Sequence, residues 1–557
     1  MAFTLHDENA IMNPERSRTP LWVLALLLCC RCINAIEGSI SAHQMGYFDE
    51  LHETSPLKRV GNVGVAEDSD TSNDESIAFC HVPGLYDLIC HPAPALASYV
   101  YKEVAAAFLA MHHFNNGIGT VVKELEGINK RCPIRLTGEV IDTSFRPTKA
   151  VQAVSSIIHR EESKPCAFIG ARSSDATAPS AVVSGVFGYP QMSYTATSPR
   201  LSDADDFPYF RRIIASDDEA AKAVVSFLTQ VSRTTHVAIL TVADVFGTSY
   251  NKNFVEAAAK SGIVTRSFII DEQRKDEQDI KTQLKLIKDT GFRHIVLIVY
   301  ATLMDQVFEQ ADALGLIGDD YFWVLGMSGI TEIEEGSILE KVGPGMAIIP
   351  ELGAKIHGES YDGFKAAMNN LGDEAISFLN SKMPLKPGSN ETCFAVESGF
   401  FSEMNKDDPG IFSHLAYDTV VSIGLGACGA TKNATYFDGQ QHADAISEVK
   451  FEGASGYVVI NPETNTRDPS SWVYSVNTIE RKIGPNGNET FEVVEVLHLE
   501  PIPDQNAWFV EKHKTFFFAD GSIDPPVSLP AVDVDMNYLG NLVVYGYVTF
   551  LLVALIS

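Results

Sequence analysis

With 557 residues and 45% hydrophobic content, the chain has material for two or more domains with sizeable cores. A formal charge of −30 excludes nucleic acid as a partner, because binding it needs a basic footprint. No Gly-x-Ser-x-Gly elbow, His-Glu-x-x-His helix, phosphate loop or paired metal cysteines occurs, so the sequence offers no catalytic site, metal site or cofactor motif.

Residues 1–36 read as a targeting segment. Arg16 and Arg18 precede the apolar run Leu21–Cys30, and Ala35 is a small residue placed for cleavage. The run is short for a membrane span, which favours a signal peptide over a signal anchor. Residues 37–77 carry the acidic run Glu67–Glu75 and read as a disordered leader. Beyond residue 36 six cysteines remain: Cys80, Cys90, Cys132, Cys166, Cys393 and Cys428. An even number on an exported chain points to disulfides, with all fifteen pairings open. The sequons at Asn390, Asn433 and Asn488 fit the same secretory route.

From Phe79 to about Leu497 strands and helices alternate. The spacing predicts a helix over Ala95–Asn115, a strand near Ile134–Ile141 and a helix from Pro147 to Glu162, with Pro in its first turn. A strand follows at Cys166–Gly170, then a turn with Ser173 and Ser174, a helix to Val186 and a strand over Tyr189–Tyr194. Ser216–Glu219 reads as a capping box that opens a helix to Val231. Strands at His236–Val242, Val264–Ile270, His294–Tyr300 and Phe322–Leu325 then alternate with helices over Ser249–Lys260, Glu277–Asp289 and Leu303–Leu314. Short continuous apolar runs between helices indicate parallel sheets buried on both faces. About nine such units exceed one compact domain, which predicts two α/β lobes. Gly424-Leu-Gly426-Ala-Cys-Gly429 spells a dinucleotide fingerprint, but it follows helical residues, so it reads as a glycine-rich helix end. His112 and His113 are adjacent on a helix, face different directions and suit ordinary packing.

The stretch from Cys166 to Asp217 carries the most specific signal. Strand, turn, helix and strand make a parallel βαβ unit, whose ligands bind beyond the strands' carboxyl ends. Hydroxyl clusters stand at both ends: Ser173 and Ser174 after the first strand, then Thr195, Thr197 and Ser198 after the second. A serine at a helix start also sits where free N–H groups favour an anion. The order Ser-Ser, helix, then Tyr194-Thr-Ala-Thr-Ser-Pro-Arg-Leu-Ser202 resembles the extracellular ligand-binding region of class C G-protein-coupled receptors. These are the metabotropic glutamate and type B γ-aminobutyric-acid receptors. Leu415-Ala-Tyr-Asp418 and Phe451-Glu-Gly-Ala-Ser-Gly456 are further marks of that kind.

The resemblance implies a two-lobed fold of the type I periplasmic-binding-protein kind, each lobe a parallel sheet flanked by helices. The first lobe would span about 78–215 and 350–450, the second about 216–349 and 451–497. It implies that Ser174 and Thr197 hold a ligand carboxylate and that Thr195 adds a contact. Asp217 would help hold an amino group, Phe246 would lie over the ligand, and Tyr300 matches a ligand-contacting tyrosine of the type B receptors. Ser328 stands where the glutamate receptors carry an aspartate, and Ile333 and Phe412 replace further charged contacts. A buried ammonium without a carboxylate partner is disfavoured by several kcal/mol, in order of magnitude. The expected ligand is therefore a small carboxylate other than glutamate or γ-aminobutyrate. The expected partners are that ligand, a membrane, and a homo- or heterodimer mate on the first lobe.

Residues 498–536 read as a juxtamembrane linker without cysteine, as in the type B branch. Residues 537–557 end in an apolar run of membrane-spanning length. That run reads as the first helix of a truncated receptor, a single anchor, or a lipid-anchor signal. The expected function is that of a receptor's extracellular sensor, not an enzyme, at the cell membrane. The alternative is a membrane-anchored solute-binding protein that feeds a transporter.

Overall fold

The computed structural model describes residues 78–530, apart from 88, 93, 272–276, 329–332, 334, 351–357, 404–408, 432–437, 484–488 and 503–507. The expected signal peptide, leader and membrane helix, and the sequons at Asn433 and Asn488, lie outside the described residues. Asn390 is exposed. Among the described residues no helix is long and apolar enough to cross a membrane.

The chain first lays down β1 (Ala78–Tyr86), α1 (Pro94–Asn116), β2 (Ile134–Asp142), α2 (Pro147–Ile158), β3 (Phe168–Gly170), α3 (Ser174–Val186), β4 (Gln191–Ser193) and β5 (Phe210–Arg212). Their sheet has the order β2-β1-β3-β4-β5, with every pair parallel. Apolar residues of β1 to β4, such as Val82, Ile134, Ile169 and Met192, are fully or almost fully buried, as a sheet covered on both faces requires.

A second run follows: α4 (Asp217–Gln230), β6 (His236–Val242), α5 (Val245–Lys260), β7 (Val264–Ile270), α6 (Glu277–Thr290), β8 (His294–Ile298), α7 (Ala301–Ala313), β9 (Phe322–Ser328), α8 (Ile338–Val342) and β10 (Ala347–Pro350). These strands pair in parallel in the order β7-β6-β8-β9-β10, repeating the pattern of the first sheet. The helix expected from Ser249 starts four residues earlier, because Asp244 caps it by accepting from the Gly247 N–H at 2.7 Å. At α4 the helix start is where the capping box put it, but the box does not form. Ser216 Oγ is buried without a hydrogen-bond partner, and Glu219 turns to the Lys222 ammonium at 2.7 Å. A charged partner three residues along the helix outcompetes a neutral backbone N–H.

The chain then returns to the first sheet through α9 (Glu359–Asn369), α10 (Asp373–Lys382), α11 (Phe400–Glu403), α12 (Ser413–Ala430) and α13 (Gly439–Glu448). Helix α12 runs along α1, where His113 Nδ1 meets the Tyr417 hydroxyl at 2.7 Å. The glycines of the false fingerprint let helices close: a Cβ on Gly424 would lie 2.7 Å from the Phe114 ring, and one on Gly426 would lie 2.5 Å from Ile446. Three short antiparallel strands follow, β11 (Lys450–Gly453), β12 (Gly456–Asn461) and β13 (Thr466–Arg467). They belong with the first sheet, since Asn465 O accepts from Arg212 N on β5 at 3.1 Å.

The crossing expected at residue 451 therefore falls later. Only β14 (Tyr474–Ile483) joins the second sheet, antiparallel to β10, followed by β15 (Glu489–Pro501) and β16 (Trp508–Lys512) at its outer edge. The reason is a buried polar knot. The Asp418 carboxylate accepts from Ala454 N at 2.9 Å and from Ser455 N and Oγ at 2.6 Å. Arg467 donates to Ser455 Oγ, Ser455 O and Tyr457 O, each at 2.9 Å. Leaving any of these groups unpaired in the interior is costly, so the strands stay on the α12 side.

All six described cysteines pair, as Cys80–Cys166, Cys90–Cys393 and Cys132–Cys428. The last two join segments 303 and 296 residues apart, tying the returning helices to the first βα units.

Candidate ligand-binding cleft

Both parallel sheets have the 2-1-3-4-5 strand order, so each has a switch point at the carboxyl ends of its first strands, where the flanking connections diverge. The two sets of carboxyl ends meet. Asp175, in the first turn of α3, accepts from the Val245 N–H at the start of α5 at 3.2 Å. Ser198 and Ser249 hydroxyls lie 3.0 Å apart, and the Phe145 ring stands edge-on to Tyr300 at 5.7 Å.

On the first side the hydroxyls bind one loop to the next. Ser173 caps α3, its Oγ accepting from Ala176 N at 3.3 Å, while Ser174 Oγ accepts from Ser198 N at 3.1 Å. Thr195 Oγ1 donates to Arg172 O at 2.7 Å, and Thr197 O accepts from Asp217 N at 3.0 Å. Ser173, Ser174, Thr195 and Thr197 are all buried, so the two clusters after β3 and β4 form one wall. Arg212 stiffens that wall from beneath, donating to Ala196 O at 3.0 Å and Ser198 O at 2.9 Å. Burial pulls its guanidinium down to about 10, and nearby Asp217 opposes the shift. Asp217 itself is wholly buried at the start of α4.

On the second side Phe246 is buried on α5 and packs against Tyr300, with ring centroids 5.4 Å apart. The Tyr300 hydroxyl donates to Asp244, which also caps α5. Burial raises the Asp244 carboxyl, the Tyr300 and Gly247 bonds oppose it, and neighbouring Asp175 adds to the rise. Ser328 is the last residue of β9, at the same end of the sheet and in register with Pro350.

Five charged residues around this wall went unread in the sequence. Asp87, after β1, accepts from Ser173 N at 3.2 Å and Phe145 N at 3.0 Å and also bonds Thr143. Glu103, on α1, accepts from Tyr194 at 2.8 Å and pairs with Arg172 at 3.3 Å. Burial raises both carboxyls, and Arg172 opposes it in each case. The Arg172 guanidinium also lies 4.9 Å from the Phe412 ring centre. Asp175 and Asp244 complete the set. The sequence signal for Arg172 was its place inside the turn Gly170–Ser174, where a cation among small residues stands out. Asp87 and Glu103 gave none, since only the fold brings them near. A separate groove of about 660 Å³ lies away from the strand ends, between α1, edge strand β2 and α10, lined by Phe108, Met111 and Phe378 among others.

Residues 122–478, well over half of the chain, match the family described as "Receptor family ligand binding region". The chain belongs to that family. This ligand-binding region is similar to metabotropic glutamate receptor 4 of Mus musculus, 22% identical over 403 residues, which cover 65% of this chain and 43% of that protein. It is 22% identical over 306 residues to metabotropic glutamate receptor-like protein E of Dictyostelium discoideum, covering 54% of this chain and 33% of that protein. Metabotropic glutamate receptor 6 of Mus musculus is 25% identical over 252 residues, or 40% of this chain and 29% of that protein. The ligand-binding region thus spans less than half the length of these relatives. Family and relatives agree with the class C likeness of the hydroxyl motifs.

Proposed function

We propose that this chain is the extracellular, ligand-sensing part of a class C-type membrane receptor, and that its two lobes close on a small carboxylate-bearing molecule. The observation that carries this reading is the wall of Ser173, Ser174, Thr195 and Thr197 at the carboxyl ends of β3 and β4. It faces Phe246 and Tyr300 across the Asp175–Val245 contact. Hydroxyls donate as well as accept, so Ser174 and Thr197 can turn protons toward a carboxylate, and the aromatic pair shields the ligand from water. Asp175, beside the hydroxyl wall, and Asp244, on the opposite side of the contact, place negative charge on both sides of it, which suits a ligand amino group. This supplies the carboxylate partner that Ser328, Ile333 and Phe412 lack. The relatives are named for glutamate; here an α-amino acid or a related small zwitterion is the class proposed.

Closure then acts by differential affinity, the ligand favouring the state in which both walls touch it. The likeness to the type B branch rests on Tyr300 and on the cysteine-free 498–536. Val186 at the end of α3 is 73% exposed, with Val182 and Phe187 beside it, which supports a dimer contact on the first lobe.

The test is thermal unfolding of the full chain against a panel of amino acids, small carboxylates and amines. A ligand at one hundred times its dissociation constant adds about 2.7 kcal/mol. The reading requires a hit that Ser174→Ala with Thr197→Ala abolishes in a protein that still folds. A hit that survives both substitutions would place the ligand elsewhere and refute the cleft.

A further inference from the structure

The outer edge of the second sheet holds a cluster of metal-ligating side chains remote in the fold from the cleft. In the antiparallel pairing of β15 and β16, His498 stands opposite Glu511. Residues two apart on a strand share a face, so Glu511 and His513 point the same way, and His498 meets them from across the ladder. His513 keeps that alignment past the end of β16, its N–H donating to Val496 O at 3.3 Å. The two imidazoles lie 4.1 Å apart between ring centres, at 72°. One ligand atom from each of His498, Glu511 and His513 lies within 4.8 Å of the others. Glu495 brings a second carboxylate, with Oε1 2.7 Å from His498 Nε2.

We propose that His498, His513 and Glu511, with Glu495 as the fourth donor, form a binding site for a zinc-class divalent cation. Two neutral imidazoles and two carboxylates make a mixed nitrogen and oxygen set with two negative charges, which matches a dication. Zinc takes such a set in tetrahedral geometry at about 2.0–2.2 Å, which puts neighbouring donors about 3.3–3.5 Å apart. The ligand atoms of His498, Glu511 and His513 stand within 4.8 Å of one another, wider than that, while Glu495 Oε1 stands closer to His498 Nε2, at 2.7 Å, and has to draw back as the cation binds. His513 and Glu511 are 43% and 49% exposed, so a rotamer change brings them in without moving the backbone. Calcium and magnesium take oxygen shells, and two imidazoles disfavour them. The competing account is a pair of ordinary surface contacts, His498 with Glu495 and His513 with Glu511, each contributing little. It leaves unexplained why the two rings are packed against each other in the middle of two carboxylates.

The position suggests what the cation does. Beyond His513 the chain turns back under the second sheet, where Phe516 and Phe518 pack against Phe322 and Pro526 O meets His294 Nε2 at 2.7 Å. A cation held by β15, β16 and His513 would staple that return segment at its start. It would thus stiffen the route by which the ligand-binding region leaves its own fold.

The experiment is calorimetric titration of the full chain with Zn²⁺, repeated on His498→Ala/His513→Ala and on Glu511→Gln. Thermal unfolding in chelator confirms that each variant folds. The proposal expects one more equivalent bound by the unaltered chain than by the double variant. It also expects at least a tenfold weaker site in Glu511→Gln, a zinc-dependent rise in unfolding temperature that the double variant loses, and no competition from Ca²⁺. Comparison with the variants subtracts any zinc taken by Cys29, Cys30 and Cys32. Equal stoichiometry and affinity in all three proteins overturns the site. If the double variant fails to fold, Glu511→Gln alone decides, and unchanged affinity there overturns it. Because the ligand panel reads the cleft and this titration reads the far edge, either result stands without the other.

Discussion

Replacing Asp418 by alanine tests the knot that joins the two halves of the first lobe. Asp418 has no exposed surface, and its carboxylate takes three donors from the turn Ala454–Ser455. The Ser455 hydroxyl passes the link to Arg467, itself 1% exposed. Truncation strands two buried backbone N–H groups, at about 1–3 kcal/mol each, and leaves the Arg467 charge without its nearest counter-charge. Removing one side of a buried charge partnership typically destabilises by about 3–5 kcal/mol, and these effects overlap, so about 4 kcal/mol is expected in total. Ser455→Ala should lose about 1–2 kcal/mol, because Arg467 keeps its bonds to Ile213 O, Ser455 O and Tyr457 O. Urea unfolding followed by circular dichroism reads both, and the double variant should show a coupling of at least about 1 kcal/mol. A loss below about 1 kcal/mol for Asp418→Ala, or strict additivity, would refute the claim that this carboxylate holds the three-stranded sheet in place.

Three further outcomes follow from the structure. Burial holds His113, His294 and His442 down to about 4 and His414 to about 3, so each stays neutral in the fold and takes a proton first when unfolded. Their contribution is intact above the ordinary histidine range and lost as pH falls toward 4. Asp418, pushed up to about 6 by burial, acts in the opposite sense over part of that range, and so do the carboxyls of Asp87, Glu103, Glu219 and Asp244, which burial also raises. The histidine share is therefore read by comparison: between pH 6.5 and 5 the unfolding temperature of His414→Gln should fall less than that of the unaltered chain, and an identical fall would contradict the burial of that ring. Gly453→Ala would put a Cβ 2.4 Å from Asp418 Oδ2, and a loss of about 1–3 kcal/mol is expected in chemical denaturation. Tyr300→Phe strips a donor from the half-buried Asp244 carboxylate and should destabilise by about 1 kcal/mol. The same substitution should weaken whichever ligand the panel identifies, and unchanged affinity would remove Tyr300 from the cleft.

Much of the architecture was readable from local pattern. Short apolar runs such as His236–Val242 and His294–Ile298 are buried on both faces of a parallel sheet, and that burial is what makes them continuous instead of alternating. The Ser-Ser turn and the 194–202 loop also carried their own signal, because a hydroxyl at a strand's carboxyl end depends only on its place in one βαβ unit. The capping box at Ser216 was misread for the opposite reason. Its residues were right, but Lys222 competed for Glu219 and the Ser216 hydroxyl found no partner.

The chain by itself determined the α/β alternation, the even set of cysteines and the hydroxyl wall, since each follows from neighbours a few residues apart. Tertiary structure alone decided which cysteines pair, where Asp418 and Arg467 send the strands 450–467, and how Asp87, Glu103 and Arg172 gather behind Ser173. It also decided that His498 faces Glu511 across a hairpin. In every one of those cases the partners are brought together by burial and by the need to satisfy polar groups far from water. That requirement exists only once the sheets have closed, so no window of sequence can display it.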